Sequence, residues 1–223
     1  MNVLSPKMDD ATFRKRLAFM TGRGCDAAHV FLVNQGDGEA AGYSPWGTGR
    51  APSSAACDKA AVAHMKSRIA ALRGAGLAVV AWIVADDSSA WARTLFQNAA
   101  GAMSAIRKTG LLDEASYVVL GLEMDEYGTK AQWTALRDAL RKAGYAGKIG
   151  VHHTGGKAAF ASLGDIVLDQ LDPKEATASA IAKSVKALKA KGKAVVGFEY
   201  ARGPDRDKAN VALKAGAFAV GNW

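Results

Sequence analysis

Two glutamates close apolar runs in this chain: Glu123 ends YVVLGLE and Glu199 ends AVVGFE. Each sits directly against a strand-like run with no helix starting at the next residue, so helix capping does not account for it. Two carboxyls brought to one opening could work on an acetal. One would protonate the departing oxygen while the other attacks the anomeric carbon or activates water. The protonated member needs a raised pKa, which burial and the charge of its partner would supply.

Other polar residues stand in the same place, just past an apolar run: Asn34, Gln35 and Asp37; Asp86 and Asp87; Asp125 and Glu126; His152 and His153; Asp169, Gln170 and Asp172; Tyr200 and Arg202; Asn222 and Trp223. Asp86, Asp87, Asp172 and Asp205 read as caps of the helices that follow. Lysines and arginines fall mostly on the helical segments, so a basic exterior surrounds a mouth lined with carboxylates. Tyr43, Trp46, Trp82 and Trp223 could offer flat apolar faces to sugar rings. Trp46, in the Gly/Pro-rich stretch 36–54, is the better candidate, Trp82 is divided between core and mouth, and Trp91 and Trp133 belong to an outer core.

Several chemistries lack their residues. Adjacent histidines on a strand point to opposite faces, so His152, His153 and Asp169 do not suggest a metal site. His29 and His64 read as structural. Cys25 and Cys57 form no C-x-x-C pair and read as buried or half-buried thiols. No G-x-S-x-G elbow, G-x-G-x-x-G turn or G-x-x-x-x-G-K-[ST] loop is present. No cofactor is expected. A net charge of +8 permits attraction to polyanions, but no nucleic-acid motif accompanies it and phosphate would have to approach an acidic mouth. No run nears the ~18 apolar residues of a membrane span. Nor does the N-terminus show a secretory h-region. The expectation is a soluble chain without membrane insertion, cytoplasmic or virion-associated.

The elements that must position these residues alternate. Strand candidates are His29–Val33, Ala78–Val84, Tyr117–Leu122, Lys148–Val151, Ile166–Leu168, Ala194–Phe198 and Phe218–Val220, with Asn2–Leu4 as a stunted first strand. Lys59–Arg73, Lys130–Ala143 and Ala176–Ala190 carry one apolar stripe each and read as outer helices. Gly76, Gly144 and Gly192 fall where a residue tolerant of positive φ ends a helix. Strict β/α alternation implies a parallel sheet with right-handed crossovers. Without a nucleotide-binding motif, a (β/α)8 TIM-type barrel is favoured over an open sheet. The expectation is one barrel domain over 1–223, with a reduced or missing first strand and no final helix; ~200–250 residues is an ordinary size for such a unit. Counted back from FAVGNW, Glu123 and Glu199 end strands four and seven, on opposite sides of one mouth.

The stretches HVFLVNQGDG…GYSPW, VVLGLEMDEYG, KIGVHHTGG and GFEYARG resemble the clan of retaining glycoside hydrolases with (β/α)8 barrels, in particular apiosidase-like and related bacterial and phage-associated barrels. The resemblance spans roughly the whole chain. It implies that Glu123 is the acid/base and Glu199 the nucleophile, with Tyr200 beside the nucleophile. It also implies that Trp223 stacks on a sugar ring, and that His152 and His153 contact hydroxyls or the acid/base. The clan has Asn before its acid/base where this chain has Leu122. In a second register Asp125–Glu126 replaces that Asn–Glu pair and Glu126 becomes the acid. Glu123 is favoured because it continues the apolar strand. The implied substrate is a polysaccharide or glycoconjugate, with the basic exterior suiting an anionic envelope glycan. A non-catalytic glycan-binding or structural barrel is the alternative, and the oligomeric state is left open.

Overall fold

The structure, a computed structural model, describes residues 3–33, 43–47, 50–84, 89–153, 158–171, 176–198 and 206–221. The chain falls into two compact units, one of residues 1–121 and 131–147, the other of residues 122–130 and 148–223.

The first unit holds strands β1 (Ala27–Phe31), β2 (Ala78–Val84) and β3 (Tyr117–Gly121), paired in parallel in that order. Parallel neighbours need a crossover, and helix α2 (Lys59–Gly74) supplies the one between β1 and β2. Its N-cap is Asp58, whose carboxylate accepts from the Ala61 N–H at 3.0 Å. Val62, Met65, Ile69 and Leu72 form its buried stripe, as their spacing predicts. Ahead of β1 lies α1 (Asp10–Gly22), capped by Asp9 and with Phe13 as its one buried residue. Arg68 of α2 ties that helix down. Its guanidinium donates to the Met8 carbonyl at 3.0 Å and to Asp10 at 2.7 Å, and lies over the Phe13 ring. Helices α3 (Ser89–Gln97) and α4 (Ala99–Lys108) join β2 to β3, broken at Asn98, whose side chain caps the second by accepting from the Gly101 N–H.

The second unit opens with the short helix α5 (Met124–Tyr127). Helix α6 (Lys130–Lys142), almost wholly in the first unit, buries Trp133, Leu136 and Leu140. Strands β4 (Lys148–His153), β5 (Ile166–Asp169), β6 (Ala194–Phe198) and β7 (Ala219–Gly221) of the second unit again pair in parallel in chain order. A 3-10 turn (Ala158–Leu163) joins β4 to β5, α7 (Ala178–Ala190) joins β5 to β6, and α8 (Arg206–Ala215) leads to β7. Gly164 enters β5 through a gap where a Cβ would stand 2.9 Å from the Ile149 carbonyl oxygen and 3.0 Å from that of Ile166. Gly76, Gly144 and Gly192 all have positive φ, as helix-ending glycines should.

Three expectations need correction. A helix does start at the residue after Glu123, since α5 begins at Met124; what sets Glu123 apart from a cap is that its side chain makes no capping bond. Val3 and Leu4 belong to a turn, so no first strand lies there among the described residues; they are apolar because they are buried in the core. Cys25 is exposed rather than buried, since it follows the positive-φ Gly24 just before β1; Cys57 is half-buried as expected. Among the described residues no helix is long and apolar enough to cross a membrane.

Candidate active site

All five residues of β3 are buried, and Leu122 continues that burial past its end. This explains the Leu where the resemblance called for Asn: the side chain is part of the core. At Glu123 the chain turns sharply. Its φ of 45° and ψ of 50° place it in the left-handed region, and it is the one non-glycine residue with positive φ among those described. For a residue with a Cβ that conformation costs about 1–2 kcal/mol. Such strain persists where surrounding contacts impose it, and it gathers at functional positions.

The contacts that impose it are on both sides of the residue. The Glu123 N–H donates to Nδ1 of His152 at 2.8 Å. Its carbonyl accepts from the Glu126 N–H, also at 2.8 Å, which opens the single turn of α5. The Gly128 N–H closes that turn on the Met124 carbonyl, and Met124 is fully buried. Glu123 itself is half-buried, and its side chain makes no capping bond to α5. Glu126, the alternative acid, is exposed on that turn.

His152 has no exposed surface and lies level with Leu168 of β5; His153, described here only in its backbone, lies level with Asp169. Asp169 is fully buried where β5 ends and is level with Gly197 of β6. Gln170 follows, also buried, and its Oε1 has no hydrogen-bond partner among the described residues. Glu123, His152, Asp169 and Gln170 therefore all belong to the second unit. The candidates Asn34, Gln35, Glu199, Tyr200 and Trp223 lie outside the described residues, as do Asp37, Asp86, Asp87, Asp172, Arg202, Asp205 and Asn222.

Two of the three tryptophans considered as sugar platforms, Trp46 and Trp82, are core residues. Trp46 is 1% exposed, with its ring stacked on Trp91 at 6.1 Å. Trp82 is fully buried against His29 and Phe31, and its indole N–H donates to Nδ1 of His29 at 2.9 Å. Neither offers a ring face to a ligand. Burial lowers the pKa of His29 to about 4, so at neutral pH it is an uncharged acceptor within the first unit, in keeping with a structural role. Burial, then the neighbouring Asp58 carboxylate, pushes the Cys57 thiol up, which disfavours the thiolate a nucleophile needs. Among the described residues no three His, Cys, Asp or Glu side chains are grouped to hold a metal ion.

Sequence reasoning did not find the left-handed backbone of Glu123 or the use of His152 as an acceptor for a peptide N–H. Nothing in YVVLGLEMDEYG signals the first, because glutamate is not a residue that favours positive φ. The second was within reach only as the broader expectation that His152 would contact the acid/base.

The fold is similar to those of solved glycoside hydrolases. A structure from Bacteroides vulgatus, provisionally described as a glycoside hydrolase, aligns with 97% of this chain and 48% of its own length at 13% identity and a TM-score of 0.71. A family 5, subfamily 18 glycoside hydrolase variant from Bifidobacterium longum subsp. longum, solved with Manβ1-4GlcNAc, aligns with 99% of this chain and 64% of its own at 16% identity and a TM-score of 0.67. A family 113 β-1,4-mannanase aligns with 94% of this chain and 81% of its own at 12% identity and a TM-score of 0.60. This chain thus spans about half the length of the first and under two thirds of the second. At such identities the likeness is one of fold: an α/β barrel of the TIM type. No protein-family signature matches the chain, and no curated protein sequence does.

Proposed function

We propose that this chain is a retaining glycoside hydrolase built as a single barrel, with Glu123 as acid/base and Glu199 as nucleophile. The observation that carries the reading is the strained backbone of Glu123 at the end of β3, held from both sides. A strand-end carboxyl maintained at that cost in a glycosidase-type fold is better explained by chemistry than by packing. Glu126 is a weaker acid candidate, because it sits exposed on α5 and its own N–H serves to hold Glu123.

In the reaction the Glu199 carboxylate attacks the anomeric carbon while the Glu123 carboxylic acid gives its proton to the departing glycosidic oxygen. The bond from carbon to that oxygen breaks and a glycosyl ester of Glu199 forms. Glu123, now a carboxylate, takes a proton from water as the water attacks the same carbon and frees Glu199. No cofactor enters these steps. The substrate is a carbohydrate. β-Mannosides are the first to try, since two of the similar structures are a β-1,4-mannanase and a complex with Manβ1-4GlcNAc. The net charge of +8 favours an anionic glycan among polymeric substrates.

The test is turnover of a panel of aryl glycosides and glycans by the wild type, Glu123→Gln and Glu199→Gln, with the anomer of the first product followed by proton NMR. Each variant should lose roughly a hundredfold or more in kcat while remaining folded, and the product should keep the configuration of the substrate. Wild-type rates in either variant would refute the assignment. An inverted product would refute the nucleophilic role of Glu199, and glycan binding with no turnover by the wild type would point to a binding module.

A further inference from the structure

We infer that His152 is a positioning residue for Glu123: its Nδ1 accepts the Glu123 peptide N–H and so keeps that glutamate in the left-handed conformation that sets the direction of its carboxyl. The inference rests on the acid/base role proposed for Glu123, and it adds the residue through which that role is maintained.

The geometry favours a clamp over an incidental contact. The bond is 2.8 Å long, and the imidazole that accepts it is fully buried, so water does not compete for the same N–H. The backbone beneath the ring is fixed in turn by the register of β4 on β5, with His152 opposite Leu168. On the far side of Glu123 its carbonyl is fixed by the Glu126 N–H. The peptide planes before and after the residue are therefore both held, and the two bonds between them determine φ and ψ. Glycine would adopt this conformation without help, whereas a residue with a Cβ needs to be held there. An imidazole accepting at Nδ1 carries its proton on Nε2, so the clamp works with neutral histidine.

Three substitutions separate an acceptor from mere bulk. His152→Leu removes the acceptor, His152→Asn places an amide oxygen near the Nδ1 position, and His152→Gln reaches instead toward the Nε2 position. Circular dichroism and thermal melting establish that each variant is folded, and amide hydrogen exchange by NMR then reads the Glu123 N–H directly. Exchange should be slow in the wild type and in the Asn variant, and at least roughly tenfold faster in the Leu and Gln variants. With phenyl β-mannoside, whose leaving group needs protonation, kcat/KM should fall about tenfold or more in the Leu and Gln variants and recover to within about threefold in the Asn variant. With 2,4-dinitrophenyl β-mannoside, whose leaving group departs unprotonated, the same variants should differ by less than about threefold. A general loss of structure would not separate the two substrates.

Glu123 exchange that is the same in the Asn and Gln variants overturns the clamp, whatever the turnover does. Equal losses on both substrates overturn it as well. Exchange that follows the series while Glu123→Gln turns over like the wild type overturns the acid assignment instead. Should the Leu variant fail to fold, the Asn and Gln pair decides the question alone, since both are polar and only one presents an acceptor where Nδ1 stands.

Discussion

Replacing Glu123 by glycine should leave the protein more stable than replacing it by alanine, a reversal of the usual order. In ordinary helix or strand positions glycine is worse than alanine by roughly 0.5–1 kcal/mol. At φ 45° and ψ 50° the Cβ of alanine keeps the left-handed cost of about 1–2 kcal/mol, which glycine escapes. Glycine returns about 0.4–1 kcal/mol of that through the greater freedom of its unfolded chain. Taking the middle of each range, the net is about 0.8 kcal/mol in favour of Glu123→Gly. In a domain of this size that amounts to a melting temperature higher by about 1–4 °C than for Glu123→Ala. The comparison is clean because both variants lose the same carboxyl, and the side chain makes no capping bond to α5 that one of them could retain. Thermal melts and urea titrations with unchanged m-values give the difference, and a glycosidase assay on the same samples should find both inactive. An alanine variant as stable as the glycine variant would mean that residue 123 does not occupy the left-handed region, and the positional argument for its chemistry would go with it.

Acid should weaken the protein through His29. Its pKa is about 4 in the fold against 6.5 in the free residue, so between those values the unfolded chain takes up a proton that the folded chain refuses. Stability therefore falls as pH drops from about 6.5 to about 4, by at most ~3 kcal/mol from this residue, and does not fall further on its account below that. His29→Asn, which keeps an acceptor for the Trp82 indole, should flatten the slope in urea titrations at successive pH values, and an unchanged slope would show that His29 is not its source. At Gly121, a Cβ would stand 2.5 Å from the Trp133 ring. Gly121→Ala should cost about 1–3 kcal/mol in the same titrations, whereas a loss below about 0.5 kcal/mol would show that the ring yields freely.

The strands were legible because each is a short, mostly apolar run between breakers, and β2 and β6 begin and end where the pattern places them. Errors arose where burial and periodicity part company. Helix α1 buries only Phe13 and so has no stripe to read; its signal was Asp9, whose carboxylate accepts from the Thr12 N–H at 2.7 Å. β1 begins two residues before its apolar run, on Ala27 and Ala28, which suit a helix as well as a strand. Val3 and Leu4 read as a strand because the core claims apolar residues from turns too. Trp46 misled for the same reason: a loop rich in Gly and Pro suggests exposure, yet this one returns to stack its indole on Trp91.

The site was legible in its residue types and hidden in its backbone. Position at a strand end singled out Glu123: YVVLGLE shows no helix start in its pattern, and although α5 does begin at Met124, the Glu123 side chain makes no capping bond to it. The same position gave no sign of φ, because the clamp that sets it comes from His152, 29 residues further along the chain. Intrinsic preference at residue 123 and tertiary contact pull in opposite directions, and the contact wins. A sequence pattern records preferences, so it fails where they are overruled, and a side chain that must be aimed is a place where overruling them is useful. The one described non-glycine residue with a left-handed backbone is also among those whose type and place suggested chemistry. Had Glu123 been a solvated surface carboxyl, nothing would oppose its relaxation into the right-handed or extended region, and the neutral imidazole on β4 would have no N–H to receive.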